Sequence, residues 1–292
     1  MPRARISPSL ELEYDVTGDP GAPPIVLAMG FSMQMIAWDE DFCAALAARG
    51  FRVVRFDNRD IGLSTHLSEL GAPDFMRAMM GDASAAPYTL GDMADDVAGL
   101  LDALDLRAAH VVGASMGGFI VQELAIRHPG RVLSLASIMS TTGARNVAQP
   151  TPEASAALLT PPAADRAAAI DRAFGIWRVI GSPGFPFDEA RIRSRTARAW
   201  DRDHDPSGVA RQIAAIFTSR DRTADLGRVR APTVVIHGAA DPLVPLAGGE
   251  ATAAAIPGAR LVVIPGMGHD LTPGAWPTII DAIVDNAARA VA

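Results

Sequence analysis

The chain has 292 residues, of which 49% are apolar and 20% are charged, and its formal net charge is −7. This composition excludes a disordered chain, because the apolar fraction is large enough to build a sizeable core. Acidic residues outnumber basic ones, so the protein has no excess of positive charge with which to neutralise the phosphates of a nucleic acid. We therefore expect no nucleic-acid partner. All 26 basic residues are Arg, which excludes Schiff-base chemistry at a lysine and a P-loop lysine.

The N-terminal segment and the apolar runs bear on localisation. Two Arg residues near the start are not followed by the apolar stretch of a signal peptide. No apolar run approaches the roughly 20 residues that are needed to cross a bilayer. We therefore expect a cytoplasmic protein with no membrane partner.

The apolar runs predict an alternation of strands and helices. An alternating run at Leu10–Val16 predicts an exposed, antiparallel edge strand. Short β-branched runs predict further strands at Pro24–Met29, Arg52–Phe56, His110–Val112, Val132–Met139, Thr233–His237 and Arg260–Ile264. Helical spacing predicts helices over residues 39–49, 92–105, 116–128, 246–256 and 275–290. Strands that alternate with helices in this way are typical of an α/β protein with a mostly parallel, doubly wound sheet.

One interval breaks this alternation. More than ninety residues separate the run that ends at Met139 from the run that begins at Thr233, and no β-like run is evident between them. The interval is rich in Ala, Arg and Pro and holds several of the chain's few aromatic residues. We interpret residues 143–225 as a helical insertion that folds over one end of the sheet, and residues 1–142 and 226–292 as the core domain.

A candidate nucleophile lies in the segment HVVGASMGGF, which contains the G-x-S-x-G pattern Gly113–Gly117. The pattern follows a predicted strand and opens a predicted helix. A serine on so tight a turn has an exposed hydroxyl, and the positions two residues on either side must be nearly free of side chain. The start of the helix also presents N–H groups and positive dipole to an anion that forms beside Ser115.

Serine is a weak nucleophile unless a base accepts its proton and a carboxylate orients that base. Asp241 follows one buried strand in TVVIHGAADPLVP, and His269 follows the next in RLVVIPGMGHDLTP. Both therefore lie beyond the carboxyl ends of parallel strands, where sites in open α/β sheets are found. Glu250 and Asp225 remain alternatives to Asp241 if this loop interpretation is wrong.

These motifs, together with the D-x-R-x-x-G-x-S pattern in FDNRDIGLST, resemble those of the α/β-hydrolase superfamily. Within that superfamily, the chain resembles an esterase-like subgroup near aclacinomycin methylesterase. It implies an α/β-hydrolase fold, with a mostly parallel eight-stranded sheet flanked by helices and a helical cap inserted after strand 6. It also implies that Ser115 is the nucleophile, His269 the general base and then acid, and Asp241 the orienting carboxylate.

The resemblance further implies an oxyanion hole formed by the backbone N–H groups of Phe31 and Met116. Relatives usually carry His-Gly in the first of these loops, whereas this chain has Met29-Gly30. Because the donors belong to the main chain, the loss of that His does not remove them.

Further residues are candidates for the substrate pocket. An apolar roof over an acyl-transfer site favours Met139, Trp177 and Trp200, with Phe31 and Met116, and His66 follows a loop that reaches the same region. With no obvious fixed cation there, we expect neutral esters to be preferred over free carboxylates. His204 has no Cys pair or spaced His partner, so we expect no metal site, and we expect no cofactor.

The leading functional hypothesis is a serine hydrolase that cleaves carboxylic esters or lactones of small molecules through an acyl-enzyme intermediate. Apolar neutral esters, including methyl esters, are the expected substrates. Two alternatives use the same residues: a cofactor-free perhydrolase or haloperoxidase-type activity, and a ligand receptor with slow turnover.

Overall fold

The computed structural model describes residues 2–290, and its centre is an eight-stranded sheet with the order β1-β2-β4-β3-β5-β6-β7-β8. Residues 1, 291 and 292 of the predicted core domain lie outside the described residues. The strands are β1 (Arg3–Ser7), β2 (Leu10–Thr17), β3 (Pro24–Ala28), β4 (Arg52–Phe56), β5 (Ala109–Ala114), β6 (Val132–Ile138), β7 (Thr233–Gly238) and β8 (Arg260–Ile264). The β1–β2 and β2–β4 pairings are antiparallel and the other five are parallel. The prediction of a mostly parallel, eight-stranded sheet is confirmed.

Eleven α-helices accompany the sheet in the described part of the chain. They are α1 (Glu40–Ala48), α2 (Phe75–Met79), α3 (Leu90–Ala103), α4 (Met116–Arg127), α5 (Pro152–Leu158), α6 (Arg166–Ile180), α7 (Glu189–Arg202), α8 (Pro206–Phe217), α9 (Thr223–Leu226), α10 (Leu246–Ala255) and α11 (Trp276–Ala288). Short 3₁₀ turns occur at Met35–Ala37, Ser68–Leu70, Ala83–Ala85, Pro129–Arg131 and Pro273–Ala275.

The core lies on both faces of the sheet. Successive residues of β3 alternate between two apolar clusters: Val26 belongs to the cluster that contains residues of α3 and α4, and Leu27 belongs to the cluster that contains residues of α1 and α11. Every residue of β5 is buried, as expected for a central strand covered on both sides. This two-sided burial explains the unbroken apolar runs in the sequence.

The first strand was not predicted. The segment Arg3–Ser7 contains two arginines and shows a single fully buried side chain, Ala4. This strand lies at the edge of the sheet, where it pairs with β2. Because few of its side chains are buried, its sequence lacks the apolar run that identifies the other strands.

Helices α5 to α9 occupy the interval between β6 and β7. Ion pairs join this segment to loops of the sheet that follow β4: Arg202 lies 2.8 Å from Asp57, and Arg211 lies 2.7 Å from Asp60. The second pair is almost fully buried, with 1% and 0% of its side chains exposed. Removing one partner of the buried pair would leave the other as an uncompensated charge, which is strongly destabilising.

Within residues 2–290, no helix combines the length and the apolar character that a membrane crossing requires.

Candidate active site

Ser115 occupies the turn between β5 and α4. Its backbone has φ +54° and ψ −119°, a conformation that non-glycine residues rarely adopt. Between residues 109 and 125 it is the one residue that is not buried. The strained turn therefore leaves this residue partly exposed within an otherwise buried segment, as the sequence pattern predicts.

The glycines of the motif are required by close backbone contacts. A Cβ on Gly113 would lie 2.1 Å from the carbonyl oxygen of Gly117, and one on Gly117 would lie 2.1 Å from that of Ala28. Since real Cβ atoms do not approach so closely, any side chain at either position would force the turn apart. The two glycines allow the turn that presents Ser115.

His269 lies between Ser115 and Asp241. Its Nε2 is 2.9 Å from Ser115 Oγ, and its Nδ1 is 2.7 Å from Asp241 Oδ2. The other carboxylate oxygen of Asp241 accepts hydrogen bonds from the N–H groups of Leu243 and Val244, both at 2.9 Å. Asp241 and His269 are 6% and 5% exposed. A neutral imidazole in this position donates from Nδ1 to the carboxylate and accepts the serine proton at Nε2.

The alternative acids lie elsewhere. Asp225 forms ion pairs with Arg220 and Arg228, and Glu250 is exposed on α10. Of the carboxylates considered, it is Asp241 that contacts His269.

The loop that carries His269 rests on the helical segment. The His269 N–H donates to the carbonyl of Ile180 at 2.7 Å, and the Gly268 N–H donates to Ser182 Oγ at 2.9 Å. The Ser182 hydroxyl in turn donates to Asp270. Burial raises the pKa of Asp270 even though Ser182 opposes the shift. Asp270 is therefore a partly buried, hydrogen-bonded group rather than a solvated charge at the rim of the site.

The two backbone N–H groups predicted to form the oxyanion hole belong to the loop after β3 and to the first residue of α4. A Cβ on Gly30 would lie 3.1 Å from that of Ser115, so the loop after β3 passes directly beside the elbow. Among residues 2–290, neither the Phe31 nor the Met116 N–H has a hydrogen-bond acceptor. Two such donors near a nucleophile are the arrangement that an oxyanion hole requires.

The helical segment also holds this loop. Gln212 of α8 is 0% exposed; its Oε1 accepts from the Ser32 N–H at 3.1 Å, and its Nε2 donates to the Arg59 carbonyl at 2.9 Å. Ser32 has φ +57°. Sequence reasoning missed Gln212 because nothing in its local pattern reveals a contact across 180 residues.

A cavity of about 530 Å³ opens at Ser115 and His269 and extends under α6 and α7. Its lining includes Phe31, Met139, Trp177 and Trp200, and the indole of Trp200 stacks on His204 with 3.7 Å between ring centroids. Cavities of this size that are lined mostly by apolar groups are typical of small-molecule sites.

His66 and the side chain of Met116 do not line this cavity, which corrects both predictions. The His66 ring instead bonds to Asp205 at 2.8 Å and to the Gly62 carbonyl at 3.0 Å. Although burial opposes it, these acceptors raise the pKa of His66. Asp60, His66 and Asp205 lie close enough together to resemble a metal site, but Arg211 already contacts both carboxylates, at 2.7 and 3.6 Å.

The expectation of a cavity without fixed cations is wrong. Arg172, Arg191 and Arg195 all line it. The sequence does not reveal this, because the Arg residues of the insertion are interspersed with Asp and Glu, a pattern that is also typical of exposed ion pairs.

The remaining histidines have structural partners. His110 bonds to Ser134 Oγ at 2.8 Å, His128 to Asp95 at 2.7 Å and His237 to the Val244 carbonyl at 2.7 Å.

Comparison with known proteins shows the same fold and family. The family described as alpha/beta hydrolase fold matches residues 23–171, and a second, described as TAP-like protein, matches residues 214–285. The chain belongs to the α/β hydrolase family. It is 32% identical over 277 residues to rhodomycin D methylesterase DauP of Streptomyces sp. strain C5 and 31% identical over 277 residues to DnrP of Streptomyces peucetius, covering 87% of each chain in both cases.

This α/β hydrolase also resembles a solved enol-lactonase from Burkholderia xenovorans LB400. The two share 26% identity with a TM-score of 0.75, over 98% of this chain and 100% of the other. The predicted fold and superfamily are confirmed, and the relatives support the expected class of carboxylic-ester hydrolase.

Proposed function

We propose that this protein hydrolyses carboxylic esters through a Ser115–His269–Asp241 triad. The observation that carries the proposal is the unbroken chain of hydrogen bonds from the serine hydroxyl through the imidazole to the carboxylate, at 2.9 and 2.7 Å. Each bond is within the range that proton transfer and tautomer control require.

In the acylation half-reaction, Ser115 Oγ attacks the ester carbonyl while His269 Nε2 accepts the hydroxyl proton. The carbonyl oxygen becomes an oxyanion, which the N–H groups of Phe31 and Met116 stabilise. When the tetrahedral intermediate collapses, the C–O bond to the alcohol breaks and His269 returns the proton to the leaving oxygen. The product is an acyl group bound to Ser115.

In the deacylation half-reaction, water replaces the alcohol. His269 accepts a proton from the water as its oxygen attacks the acyl carbonyl, and the same two N–H groups hold the second oxyanion. Collapse releases the carboxylic acid and returns the proton to Ser115. Asp241 stays ionised and stabilises the imidazolium in both halves.

The cavity supports a substrate with a bulky apolar portion. Met139, Trp177 and Trp200 contribute large apolar side chains to its wall, and residues 143–225 act as a cap over it. The relatives named rhodomycin D methylesterases point to methyl esters within this class. Lactones are the cyclic form of the same substrate chemistry and fit the same mechanism.

The direct test is steady-state hydrolysis of a series of methyl and 4-nitrophenyl esters with aliphatic and polycyclic aromatic acids. We expect saturable turnover by the wild type and a loss of kcat of about 10⁴-fold or more in Ser115→Ala. Thermal unfolding of the variant is the control for folding. Undiminished turnover by the folded variant would refute the mechanism.

The same assay separates the two alternatives. Peracid formation that exceeds ester hydrolysis at matched substrate concentration would indicate a perhydrolase, and saturable binding without steady-state turnover would indicate a receptor. We expect ester hydrolysis to exceed both.

A further inference from the structure

Helix α7 presents one face to the cavity. The helix residues that line the cavity are spaced by one and two turns: Arg191, Ile192, Arg195, Thr196, Ala199 and Trp200. Arg195 therefore lies in the middle of the lining face rather than at its rim.

The other arginines of α7 have acidic partners, and Arg195 does not. Arg191 pairs with Asp39, and the remaining three pair at 2.7 to 2.8 Å: Arg193 with Glu189, Arg198 with Glu40 and Arg202 with Asp57. Among residues 2–290, no carboxylate or carbonyl oxygen lies within hydrogen-bonding distance of the Arg195 guanidinium. Its close contact is the ring of Trp177, with the guanidinium carbon 5.4 Å from the ring centroid.

The carboxylates that line the cavity are already engaged. Asp188 caps α7 by accepting from the Arg191 N–H, Asp205 bonds to His66, Asp203 lies 3.4 Å from the same imidazole, and Asp270 accepts from Ser182. Arg172, another cation of the lining, donates to the Thr160 carbonyl at 2.7 Å. Arg195 is thus a cation of the cavity wall whose donors have no hydrogen-bond acceptor among the residues that the structure describes.

The surroundings of Arg195 disfavour an unpaired charge. Burial and the neighbouring Arg191 lower the pKa of Arg195 to about 10, so the group is still a cation at neutral pH. A partly desolvated guanidinium gains most from a carboxylate, which accepts two parallel hydrogen bonds from its planar fork. The Trp177 ring supports the guanidinium from one side and limits its orientation.

We propose that Arg195 binds a carboxylate that the ester substrate carries at a distance from its scissile bond. The preferred substrates are then half-esters of diacids, or larger esters with a remote acidic group, whose apolar middle portion spans the cavity. This inference rests on the proposed ester hydrolysis and names its substrate class.

The test compares matched esters that differ only in the distal charge. The substrates are the 4-nitrophenyl monoesters of glutaric, adipic, pimelic and suberic acids, each beside the analogue in which the free carboxylate is a primary amide. For the chain length that fits, we expect Arg195→Met to lower kcat/KM for the acid by about 10–100-fold, mainly through KM. The same variant keeps kcat/KM for the amide within about threefold of wild type, since the triad is untouched.

Two variants serve as controls. Arg195→Lys retains the charge but loses the planar fork, so we expect it to recover part of the preference for acids. Arg193→Met removes a guanidinium from the same helix that does not line the cavity, and we expect it to leave both substrates unaffected. The proposal would be overturned if Arg195→Met lowered kcat/KM equally for the acid and amide forms of the substrate. It would also be overturned if the wild type preferred the acid form at no chain length.

Binding separates this proposal from the proposed function. Calorimetric titration of the same esters into Ser115→Ala measures the acid preference without turnover. Suppose that the wild type hydrolyses the esters with a distal amide, but that Ser115→Ala binds the acid and amide forms of each ester equally tightly. The proposed carboxylate site is then wrong, while the proposed esterase activity stands. Suppose instead that no ester is hydrolysed, but that Ser115→Ala binds the acid forms more tightly than the amide forms. If adding Arg195→Met to Ser115→Ala then abolishes this difference in affinity, the carboxylate site stands and the proposed esterase activity is wrong.

Discussion

Gln212 of the cap accepts a hydrogen bond from the backbone of Ser32, one residue after the proposed oxyanion donor Phe31. Ser32 has a left-handed backbone conformation, which is costly for a residue other than glycine. The buried amide of Gln212 offsets this cost and ties the loop to the carbonyl of Arg59. Gln212 therefore holds the loop that carries the proposed oxyanion donor Phe31.

This contact predicts a kinetic effect at a residue remote from the triad. Gln212→Met keeps the side-chain length but removes the acceptor, so the loop relaxes and the Phe31 N–H loses its alignment. We expect kcat for a 4-nitrophenyl ester to fall by about 10–100-fold with a smaller change in KM, since the full loss of one donor costs about 10²–10³-fold. Gln149→Met, at an exposed position, is the control. A change confined to KM would show that Gln212 acts on substrate binding instead.

The glycines of the elbow predict an effect on folding stability. Gly113→Ala places a Cβ 2.1 Å from the Gly117 carbonyl oxygen, far inside van der Waals contact. We expect the free energy of unfolding to fall by at least about 1–3 kcal/mol. Gly175→Ala lies in the exposed interior of α6 with no atom within 4 Å of its Cβ, and should raise it by about 0.5–1 kcal/mol. Urea unfolding measures both, and a stable, fully active Gly113→Ala would contradict the structure of the elbow.

The environment of His66 predicts a pH dependence of stability. The acceptors Gly62 and Asp205 raise its pKa in the folded protein above the unfolded value of about 6.5. The stabilisation is therefore fully present below that unfolded value and is lost as the pH rises through the folded pKa. We expect the difference in unfolding free energy between wild type and His66→Gln to be larger at pH 5.5 than at pH 8.5. If this difference in unfolding free energy were larger at pH 8.5 than at pH 5.5, the folded protein would favour the neutral form of the His66 ring, which would contradict the prediction.

The carboxylate of Asp241 predicts a large kinetic effect at a residue that does not touch the substrate. Asp241→Asn preserves the shape of the side chain but cannot hold His269 in the tautomer that accepts the Ser115 proton. We expect kcat to fall by about 10⁴-fold with little change in KM. A loss below tenfold would assign the orienting role to another group.

The sequence predicted those parts of the fold that leave a signature within a short segment of the chain, such as an apolar run or a spacing of glycines. Apolar runs identified β3 to β7 because these strands are largely buried. A similar run identified β8, although Leu261 and Val263 of this edge strand are exposed. G-x-S-x-G identified the elbow because a side chain on Gly113 would collide with the backbone of Gly117, four residues along the chain. The positions of Asp241 and His269 after successive strands followed from the parallel topology.

What the sequence did not reveal depends on contacts between distant segments. Gln212 reaches Ser32 across the cap interface, and His66 turns away from the cavity because Asp205 offers it a partner. Arg195 looks like any other arginine of an amphipathic, charged helix until the fold shows that it forms no ion pair with any described residue, unlike the other arginines of α7. Side-chain partners across an insertion have no signature in local periodicity.

The most direct measurement is covalent labelling with a fluorophosphonate, followed by intact mass and peptide mapping. The activated hydroxyl of Ser115 attacks the phosphorus, fluoride leaves, and the oxygens of the adduct occupy the position proposed for the oxyanion. We predict a single added phosphonyl group on the peptide that contains Ser115, with no labelling of Ser115→Ala and slow labelling of His269→Ala. Stoichiometric modification at another residue, or none in the folded wild type, would contradict the proposed triad.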